Sequence, residues 1–210
     1  MELYIVRHGE TVWNKIHRFQ GRTDIELTEY GRELARITGE ALKDTPIDRI
    51  YVSPLHRAQE TAALLRCGRD IPTITDERLL EMCFGEMEGM NTEEVLHDES
   101  NPFHHLFTHP ELFRSARGGE SFEQVCGRAR EFLQQVIEPL AAAHTCDRVM
   151  IVGHGALNKA LLCHIEKRSL ADFWGGAYQK NCAVTIVSLE NGQYRLLEDA
   201  KIFYTEQPKA

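Results

Sequence analysis

Short apolar runs, each followed by polar residues or glycine, recur along the chain at intervals that leave room for helices. Four of these runs are compact enough to be buried strands, and they cover residues 3–6, 50–52, 149–152 and 183–189. A fifth run, at residues 196–203, mixes apolar and polar positions and predicts an edge strand, joined to the fourth by a turn at Asn191 and Gly192. A short extended piece is also expected near residues 71–74.

Helix start signals fall between these strands. A side-chain oxygen just before an apolar helical pattern caps the first free N–H groups, and proline is favoured in the first turn. The signals are Thr28, which opens a helix to about residue 43; Ser53, with Pro54 behind it; and Ser121, which forms a capping box with Gln124. Apolar residues continue at helical spacing as far as Leu140, and a further helix should follow Gly155.

Strands that alternate with helices predict an α/β fold. Parallel strands need helical crossovers, and these cover both faces of the sheet. We therefore expect a three-layer sandwich with a mostly parallel central sheet flanked by helices. The stretch at about residues 86–120 departs from the pattern, because it is polar, rich in histidine and interrupted by Pro102 and Pro110. We interpret it as a lid-like insertion with some short helix, inside a single domain over residues 1–210.

Composition narrows the functional classes. The chain has 210 residues and a formal net charge of -8, so it lacks the basic footprint that nucleic acid requires. No apolar run approaches the roughly 20 residues that cross a bilayer, and the chain opens on a strand rather than on a secretory signal. We expect no nucleic-acid or membrane partner, a cytoplasmic location and a small anionic substrate. The sequence leaves a homodimer open.

Metal and redox chemistry have little support in the sequence. The six cysteines are scattered and form no CxxC pair, so we expect reduced thiols that pack as small apolar residues. Four histidines of the insertion lack the carboxylate or cysteine pattern of a dedicated metal site. They are His97, His104, His105 and His109. We predict no metal and no cofactor.

Two of the predicted strands end in nearly the same way. The first runs into Arg7, His8 and Gly9, and the strand at residues 149–152 runs into Gly153, His154 and Gly155. Ligands of open α/β sheets bind at the carboxyl ends of the strands, where a glycine lets the backbone turn and approach them closely. One histidine at such a place is usually just a hydrogen-bonded residue, whereas two indicate a site.

Arginines accompany the two histidines. Arg7 directly precedes His8, and Arg57 falls in the first turn of the helix opened by Ser53. Free N–H groups and the helix dipole favour an anion there, and the planar guanidinium suits phosphate. An arginine is mildly disfavoured at a helix N-terminus, so Arg57 indicates a bound anion. A further basic cluster is either a solvated loop or a rim that attracts anions: Lys15, Arg18 and Arg22.

Five motifs follow one another over most of the chain. They are Arg7-His8-Gly9-Glu10-Thr11 with the segment up to Gly31, Ser53-Pro54-Leu55-His56-Arg57, Leu80-Glu81-Met82, Gly118-Gly119-Glu120-Ser121, and Val152-Gly153-His154-Gly155. In content and order these motifs resemble those of the histidine phosphatase superfamily, the phosphoglycerate mutase-like proteins. One motif alone would be weak support, but five in the family's order are specific.

The resemblance implies a role for each matching residue. His8 would be the nucleophile, and Glu81 would protonate the leaving oxygen and then activate water. Arg7, Arg57 and His154 would hold the equatorial phosphate oxygens, as positive groups in place of a metal ion. The positions that complete the phosphate-binding and substrate-binding pocket would be Asn14, Gln20, Gly21, Thr23 and Gly155.

Such chemistry places two requirements on the site. His8 must be neutral, with its proton fixed on one nitrogen by a backbone acceptor. Glu81 must stay protonated near neutral pH, which calls for partial burial and a nearby phosphate. Glu86 and Glu88 lie close to Glu81 in sequence. We expect both to be solvated surface residues, with the alternative that one of them is the true acid.

Three functions fit these residues. The first is a phosphomonoester hydrolase that acts through a phosphohistidine on a small phosphorylated metabolite. The second is a cofactor-dependent phosphoglycerate mutase using the same pocket, and the third is a non-catalytic binding protein, which would be expected to lose His8 or Glu81. A mutase needs added positive charge above the pocket, yet residues 82–120 offer only Arg114 and Arg117 among many acidic residues. We therefore predict a hydrolase and leave its natural substrate open.

Overall fold

Six strands form one sheet in the computed structural model, which describes residues 1–205. They are β1 (Glu2–Arg7), β2 (Arg49–Val52), β3 (Thr73–Thr75), β4 (Arg148–Gly153), β5 (Val184–Glu190) and β6 (Gln193–Lys201). Their order across the sheet is β3-β2-β4-β1-β5-β6, with the first four parallel and the last two antiparallel. The predicted strands and the mostly parallel sheet are confirmed.

Helices fill the connections between the strands. They are α1 (Val12–Lys15), α2 (Glu29–Ala41), α3 (His56–Leu65), α4 (Thr92–His97), α5 (His105–Thr108), α6 (Phe122–Phe132), α7 (Glu138–Ala142) and α8 (Gly155–Glu166). A π-helical turn over Leu133–Ile137 joins α6 to α7, so the helical pattern predicted up to Leu140 is one nearly continuous rod. The caps at Thr28 and Ser121 are confirmed, because their hydroxyls accept from the N–H groups of Gly31 and Gln124.

The apolar side chains of the parallel strands alternate between two cores, as the pleat requires. On one face Leu3 and Ile5 of β1 belong to a large cluster with the apolar sides of α6 and α8. On the other face Tyr4 and Val6 pack in a second cluster that includes apolar residues of α3, such as Ala58. Helices on both faces of one sheet confirm the predicted three-layer sandwich.

The predicted start of α3 at Ser53 is wrong. The helix begins at His56, and its N-cap residue, Leu55, offers no side-chain hydrogen bond. The Ser53 hydroxyl lies instead 2.7 Å from a ring nitrogen of His154. A serine before a proline resembles a capping signal in sequence, but a partner 101 residues away competes for the hydroxyl.

The hairpin between β5 and β6 follows the predicted turn. Asn191 and Gly192 both have positive φ, +51° and +73°, as a two-residue hairpin turn requires. Because the turn is so short, pairing starts immediately, with Glu190 opposite Gln193. The edge strand therefore begins three residues before the apolar run that predicted it.

The segment at residues 86–120 contains the short helices expected of it, α4 and α5 among them. Its apolar residues Val95, Leu106 and Phe113 are buried in the larger core. The carbonyl of Leu106 also accepts from the indole N–H of Trp174 at 2.6 Å. That the segment is an insertion that moves as a lid stays a prediction. So does the single domain over residues 1–210, of which the last five lie outside the described residues.

The structure also bears on two expectations from composition, those about membrane-spanning segments and about the cysteines. Among residues 1–205, no helix has both the length and the apolar character needed to cross a bilayer. All six cysteines are free thiols, as expected.

Candidate active site

Strand register brings His8 and His154 together. β1 and β4 are parallel neighbours, with Arg7 opposite Gly153, so the residues that follow both strands emerge side by side. The N–H of His8 donates to the carbonyl of Gly153 at 3.0 Å. The two imidazole rings lie with their centroids 5.1 Å apart. The pairing expected from the two similar strand ends is therefore present at the carboxyl edge of the sheet.

His8 has a fixed tautomer. Its Nδ1 lies 2.7 Å from the carbonyl oxygen of Gly9, which can only accept, so Nδ1 carries the proton and Nε2 keeps its lone pair. Burial lowers the pKa of His8 well below its usual range, and the positive charges of Arg57 and Arg7 lower it further. The imidazole is therefore neutral at neutral pH, which is the form that a nucleophile needs.

Arg57 is completely buried and is held by the loop that follows α1. Its Nη2 donates to the carbonyl of Gly21 at 2.6 Å, and its Nη1 donates to the carbonyl of Thr23 at 3.0 Å. Burial lowers the pKa of Arg57 to about 10, which leaves the guanidinium charged at neutral pH. These bonds use two of its five N–H donors, and a third goes to His154. Nη1 also lies 3.6 Å from a carboxylate oxygen of Asp24, so a bound anion would share the remaining donors with that carboxylate.

His154 is neutral, contrary to the expectation that it supplies positive charge. Its Nδ1 accepts from Nε of Arg57 at 3.3 Å, so its proton is on Nε2 and is donated to the Ser53 hydroxyl at 2.7 Å. Burial, followed by the charge of Arg57, lowers the pKa of His154 well below its usual range. The positive charge of the site comes from Arg7 and Arg57. Sequence analysis missed the role of Ser53 in fixing the His154 ring.

Several buried N–H donors lack a protein partner within the described part of the chain, and two of them belong to residues named from the sequence: Nε of Arg7 and Nε2 of Gln20. Arg7 is oriented by its Nη1, which donates to the carbonyl of Gln179 at 2.7 Å. Gln20 is oriented by the Thr11 hydroxyl, which donates to its Oε1 at 2.6 Å. An unsatisfied buried donor costs about 1–3 kcal/mol, so both positions favour a ligand rich in acceptor oxygens.

Asn14 is linked to the nucleophile through Asn181, a residue that sequence analysis missed. The side-chain amide of Asn181 donates to the carbonyl of His8 at 3.0 Å and to Oδ1 of Asn14 at 3.2 Å. The backbone N–H of Thr11 also donates to Oδ1 of Asn14 at 3.2 Å. No local signal marks Asn181, because its contacts bridge 167 and 173 residues of chain.

Glu81 faces the start of α8. Its carboxylate accepts from the N–H groups of Met82 at 2.8 Å, Leu157 at 2.9 Å and Ala156 at 3.1 Å. Complete burial nevertheless raises the pKa of Glu81, with these bonds acting in the opposite direction. Gly155 lies beside this carboxylate: a Cβ there would be 3.7 Å from Oε2 of Glu81, an ordinary van der Waals distance.

Glu88 is not the solvated residue that we expected. Its carboxylate accepts from the N–H groups of Arg22 at 2.9 Å and Thr23 at 2.8 Å, and from the Thr23 hydroxyl. Burial would raise the pKa of Glu88, but these hydrogen bonds hold it below the usual value. An ionised Glu88 is poorly suited to donate a proton, whereas Glu86 is exposed as expected. Glu88 instead shapes the loop that holds Arg57.

Two arginines of the basic cluster named from the sequence have partners nearby. Arg18 donates to the carbonyl of Gly89 at 2.7 Å, and Arg22 lies 3.3 Å from the carboxylate of Glu120. The ring of His105 packs in T-shaped contacts against the rings of His104 and His109. Within residues 1–205, no group of three or more histidine, cysteine, aspartate or glutamate side chains is placed to hold a metal ion.

Comparison with known proteins identifies relatives over most of the chain. A "2,3-bisphosphoglycerate-dependent phosphoglycerate mutase" of Cytophaga hutchinsonii is 35% identical over 173 residues, covering 81% of this chain and 79% of that protein. A "Metal-independent phosphoserine phosphatase" of Arabidopsis thaliana is 30% identical over 196 residues, covering 92% and 78%.

Fold and family comparisons agree with these sequence matches. The solved structure of Bacillus stearothermophilus YhfR superposes with a TM-score of 0.84 at 36% identity and covers 93% of this chain and 94% of that one. The model of the "Histidine phosphatase superfamily (branch 1)" matches residues 3–200. A family match over almost the whole chain, on a fold and a site of the kind described above, shows that the protein belongs to the histidine phosphatase superfamily.

Proposed function

We propose that this protein is a phosphomonoester hydrolase that carries the phosphoryl group on Nε2 of His8. The observation that carries the proposal is the state of His8, whose proton is held on Nδ1 by the Gly9 carbonyl while its Nε2 is unprotonated. A neutral imidazole between two guanidinium groups combines a nucleophile with charges that attract its substrate.

In the first step, Arg7 and Arg57 hold the phosphate of the substrate, and the N–H donor of Gln20 adds a neutral hydrogen bond. Nε2 of His8 attacks phosphorus in line with the leaving oxygen, so an N–P bond forms as the P–O bond breaks. The leaving alkoxide takes the proton of Glu81. The raised pKa of Glu81 favours the protonated form that this step needs, and the charge of a bound phosphate raises that pKa further.

In the second step, the ionised Glu81 takes a proton from water as the water oxygen attacks phosphorus. The N–P bond then breaks, inorganic phosphate leaves, and both His8 and Glu81 return to their starting forms. Phosphoryl transfer depends mainly on positioning and charge neutralisation. We infer that the guanidinium charges make a metal ion unnecessary, which agrees with the name of the Arabidopsis relative, a metal-independent phosphatase.

The proposed substrate is a small phosphorylated metabolite. The name of the same relative makes phosphoserine the first compound to test. A phosphoglycerate mutase is the second candidate, because the Cytophaga relative carries that name. We favour hydrolysis. A bisphosphoglycerate carries a carboxylate and a second phosphate besides the one that is transferred, and the segment at residues 82–120 brings few cations to neutralise them.

One assay separates the two functions. The protein is given phosphoserine, and in parallel 3-phosphoglycerate with a trace of 2,3-bisphosphoglycerate, each in excess EDTA. We expect release of inorganic phosphate from a singly phosphorylated ester without any added metal. Fast formation of 2-phosphoglycerate with little free phosphate would establish the mutase instead. Activity that is lost in EDTA and restored by one particular metal ion would overturn the metal-independent mechanism.

A further inference from the structure

Arg128 of α6 lies outside all five sequence motifs, yet its guanidinium is saturated with hydrogen bonds. Its Nη1 donates to the carbonyls of Arg78 at 2.8 Å and Leu80 at 2.5 Å, and its Nη2 donates to the carbonyl of Glu81 at 3.0 Å. Its Nε and Nη2 each donate to one carboxylate oxygen of Glu120 at 3.0 Å. All five N–H donors of the side chain are therefore used.

Two of these five bonds end on the short loop that carries Glu81, and a third ends on the 3-10 turn just before it, Glu77–Leu79. The bonds to the carbonyls of Leu80 and Glu81 fix the peptide groups on both sides of the Glu81 α-carbon. A loop carbonyl has no ladder partner, so its position depends on whatever donor reaches it. The planar fork of an arginine can reach several such acceptors at once in a fixed geometry, which a lysine cannot do.

Glu120 anchors the arginine and extends the same contact. Its carboxylate accepts from the N–H of Cys83 at 2.8 Å, and its own N–H donates to the carbonyl of Cys83 at 2.8 Å. The side chains of Arg128 and Glu120 are only 14% and 16% exposed, so water competes weakly for these bonds. The loop is thus held before, at and after Glu81.

We propose that Arg128 is a positioning residue for Glu81, acting through the loop carbonyls and anchored by Glu120. This inference rests on the proposed function, because it requires Glu81 to be the acid. The carboxylate of Glu81 reaches the first turn of α8, and Arg128 holds the backbone from which it reaches. Arg128 itself takes no part in the proton transfer.

The test compares Arg128→Lys with the native protein on two phosphate esters. An alkyl ester such as phosphoserine has a poor leaving group that needs a proton, whereas 4-nitrophenyl phosphate does not. A misplaced acid should lower kcat/KM for the alkyl ester by about tenfold and for the aryl ester by less than about twofold. If the role of Arg128 were purely structural, Arg128→Lys would lower kcat/KM for both esters by the same factor.

The pH profile gives a second readout. Burial raises the pKa of Glu81, and a looser loop would hydrate the carboxyl group and lower that pKa. Because the first step needs the protonated acid, the high-pH limb of the alkyl-ester profile should move to lower pH in Arg128→Lys. The profile for 4-nitrophenyl phosphate should keep its high-pH limb.

Matched variants control for charge and folding. Arg130→Lys changes an exposed arginine of the same helix and should leave kcat/KM for both esters at the native value. Glu120→Gln removes the anchor without removing Arg128, and should show the same selectivity for the alkyl ester in a milder form. Circular dichroism and the melting temperature establish that each variant is folded at the assay temperature. If Arg128→Lys is unfolded, Glu120→Gln decides the question.

Glu81→Gln on the same two esters separates this inference from the proposed function. If Glu81→Gln is itself unselective, Glu81 is not the acid; the acid assignment and the positioning role of Arg128 then both fail, while the phosphohistidine on His8 is left standing. A second outcome is that Glu81→Gln lowers kcat/KM selectively for the alkyl ester, while Arg128→Lys and Glu120→Gln lower kcat/KM equally for both esters or leave it unchanged. In that case only the positioning role is overturned. Selective loss in all three variants supports it.

Discussion

The two sides of the site are built in different ways. On the side of the nucleophile, His8 and His154 follow adjacent parallel strands, and the register of β1 with β4 sets their separation. On the side of the acid, Glu81 lies in a loop. Its position depends on hydrogen bonds to the first turn of α8 and to Arg128.

This difference shows which substitutions each side can tolerate. Removing one side chain from the strand ends leaves the sheet ladder intact, so the remaining groups stay in place. On the loop side, the carbonyls of Leu80 and Glu81 depend on the guanidinium of Arg128, so one polar substitution can release these peptide groups even though Leu79 and Met82 stay buried in the core. We therefore expect the strand side to govern turnover of every substrate, and the loop side to govern how the activity depends on the leaving group.

The largest effect should come from the nucleophile. His8→Ala should lower kcat by at least about 10⁴-fold for alkyl and aryl esters alike, because no other imidazole can attack in line. Native protein quenched during turnover of a ³²P-labelled ester should hold acid-labile, alkali-stable phosphate, and His8→Ala should hold none.

The matched control for that experiment is His144→Ala, which changes an exposed histidine on the turn before β4. It should keep native turnover and native phosphate labelling. Near-normal activity of His8→Ala, or labelling that persists without His8, would show that another residue carries the phosphoryl group.

The next effect comes from the acid. Glu81→Gln should lower kcat/KM for phosphoserine by about 10²–10⁴-fold, since the leaving alkoxide loses its proton donor. For 4-nitrophenyl phosphate the loss in the first step should be much smaller, because that leaving group departs readily as an anion. Comparing the two esters in one preparation removes differences in folding.

Glu86→Gln is the control for this change, because Glu86 is an exposed carboxylate five residues away. It should leave the ratio of kcat/KM for phosphoserine to kcat/KM for 4-nitrophenyl phosphate at its native value. If Glu86→Gln or Glu88→Gln gave the selective loss and Glu81→Gln did not, the acid would have to be reassigned.

The sequence predicted the strand side well because its information is local. An apolar strand followed by Arg7 and His8, and a second one followed by His154, need only the rule that parallel strands share a carboxyl edge. The alternation of strands with helices along the chain also predicted a sheet covered on both faces. These features depend on neighbours in the chain and on periodicity, both of which can be recognised in a single sequence.

Hydrogen bonds between polar groups of distant segments could not be predicted from the sequence, for the opposite reason. Glu88 was expected to be solvated, yet it accepts from the N–H groups of Arg22 and Thr23, some 65 residues away. Ser53 fits a helix cap in sequence, but its hydroxyl binds His154. Such choices are decided by competition between polar partners that the fold brings together, and residue spacing does not encode them.

Glu88 offers a smaller test, which concerns the loop that holds Arg57. Glu88→Gln turns one of its acceptor oxygens into an N–H₂ donor, which would face the donors of Arg22 and Thr23. The loop that holds Arg57 should loosen, raising KM by about threefold to tenfold, which corresponds to about 1 kcal/mol. The loss should be equal for alkyl and aryl esters, because Arg57 contacts the phosphate that both share. A selective loss for alkyl esters would instead link Glu88 to the acid.

The smallest expected effect is on stability, and it concerns the strand side alone. Burial lowers the pKa values of His8 and His154 in the folded protein, while in the unfolded chain they return to about 6.5. Below pH 6.5 the unfolded chain therefore binds protons that the folded protein does not, and the free energy of unfolding falls as pH decreases toward the folded pKa values. Above pH 6.5 these two groups contribute no pH dependence.

We expect the difference in melting temperature between pH 7.5 and pH 5.5 to shrink in His8→Ala, and to keep its native size in His144→Ala, since His144 is exposed. An equal pH dependence in the native protein and in His8→Ala would show that the folded imidazole titrates normally. The nucleophile would then be largely protonated in mild acid, and the site would need another way to keep it neutral.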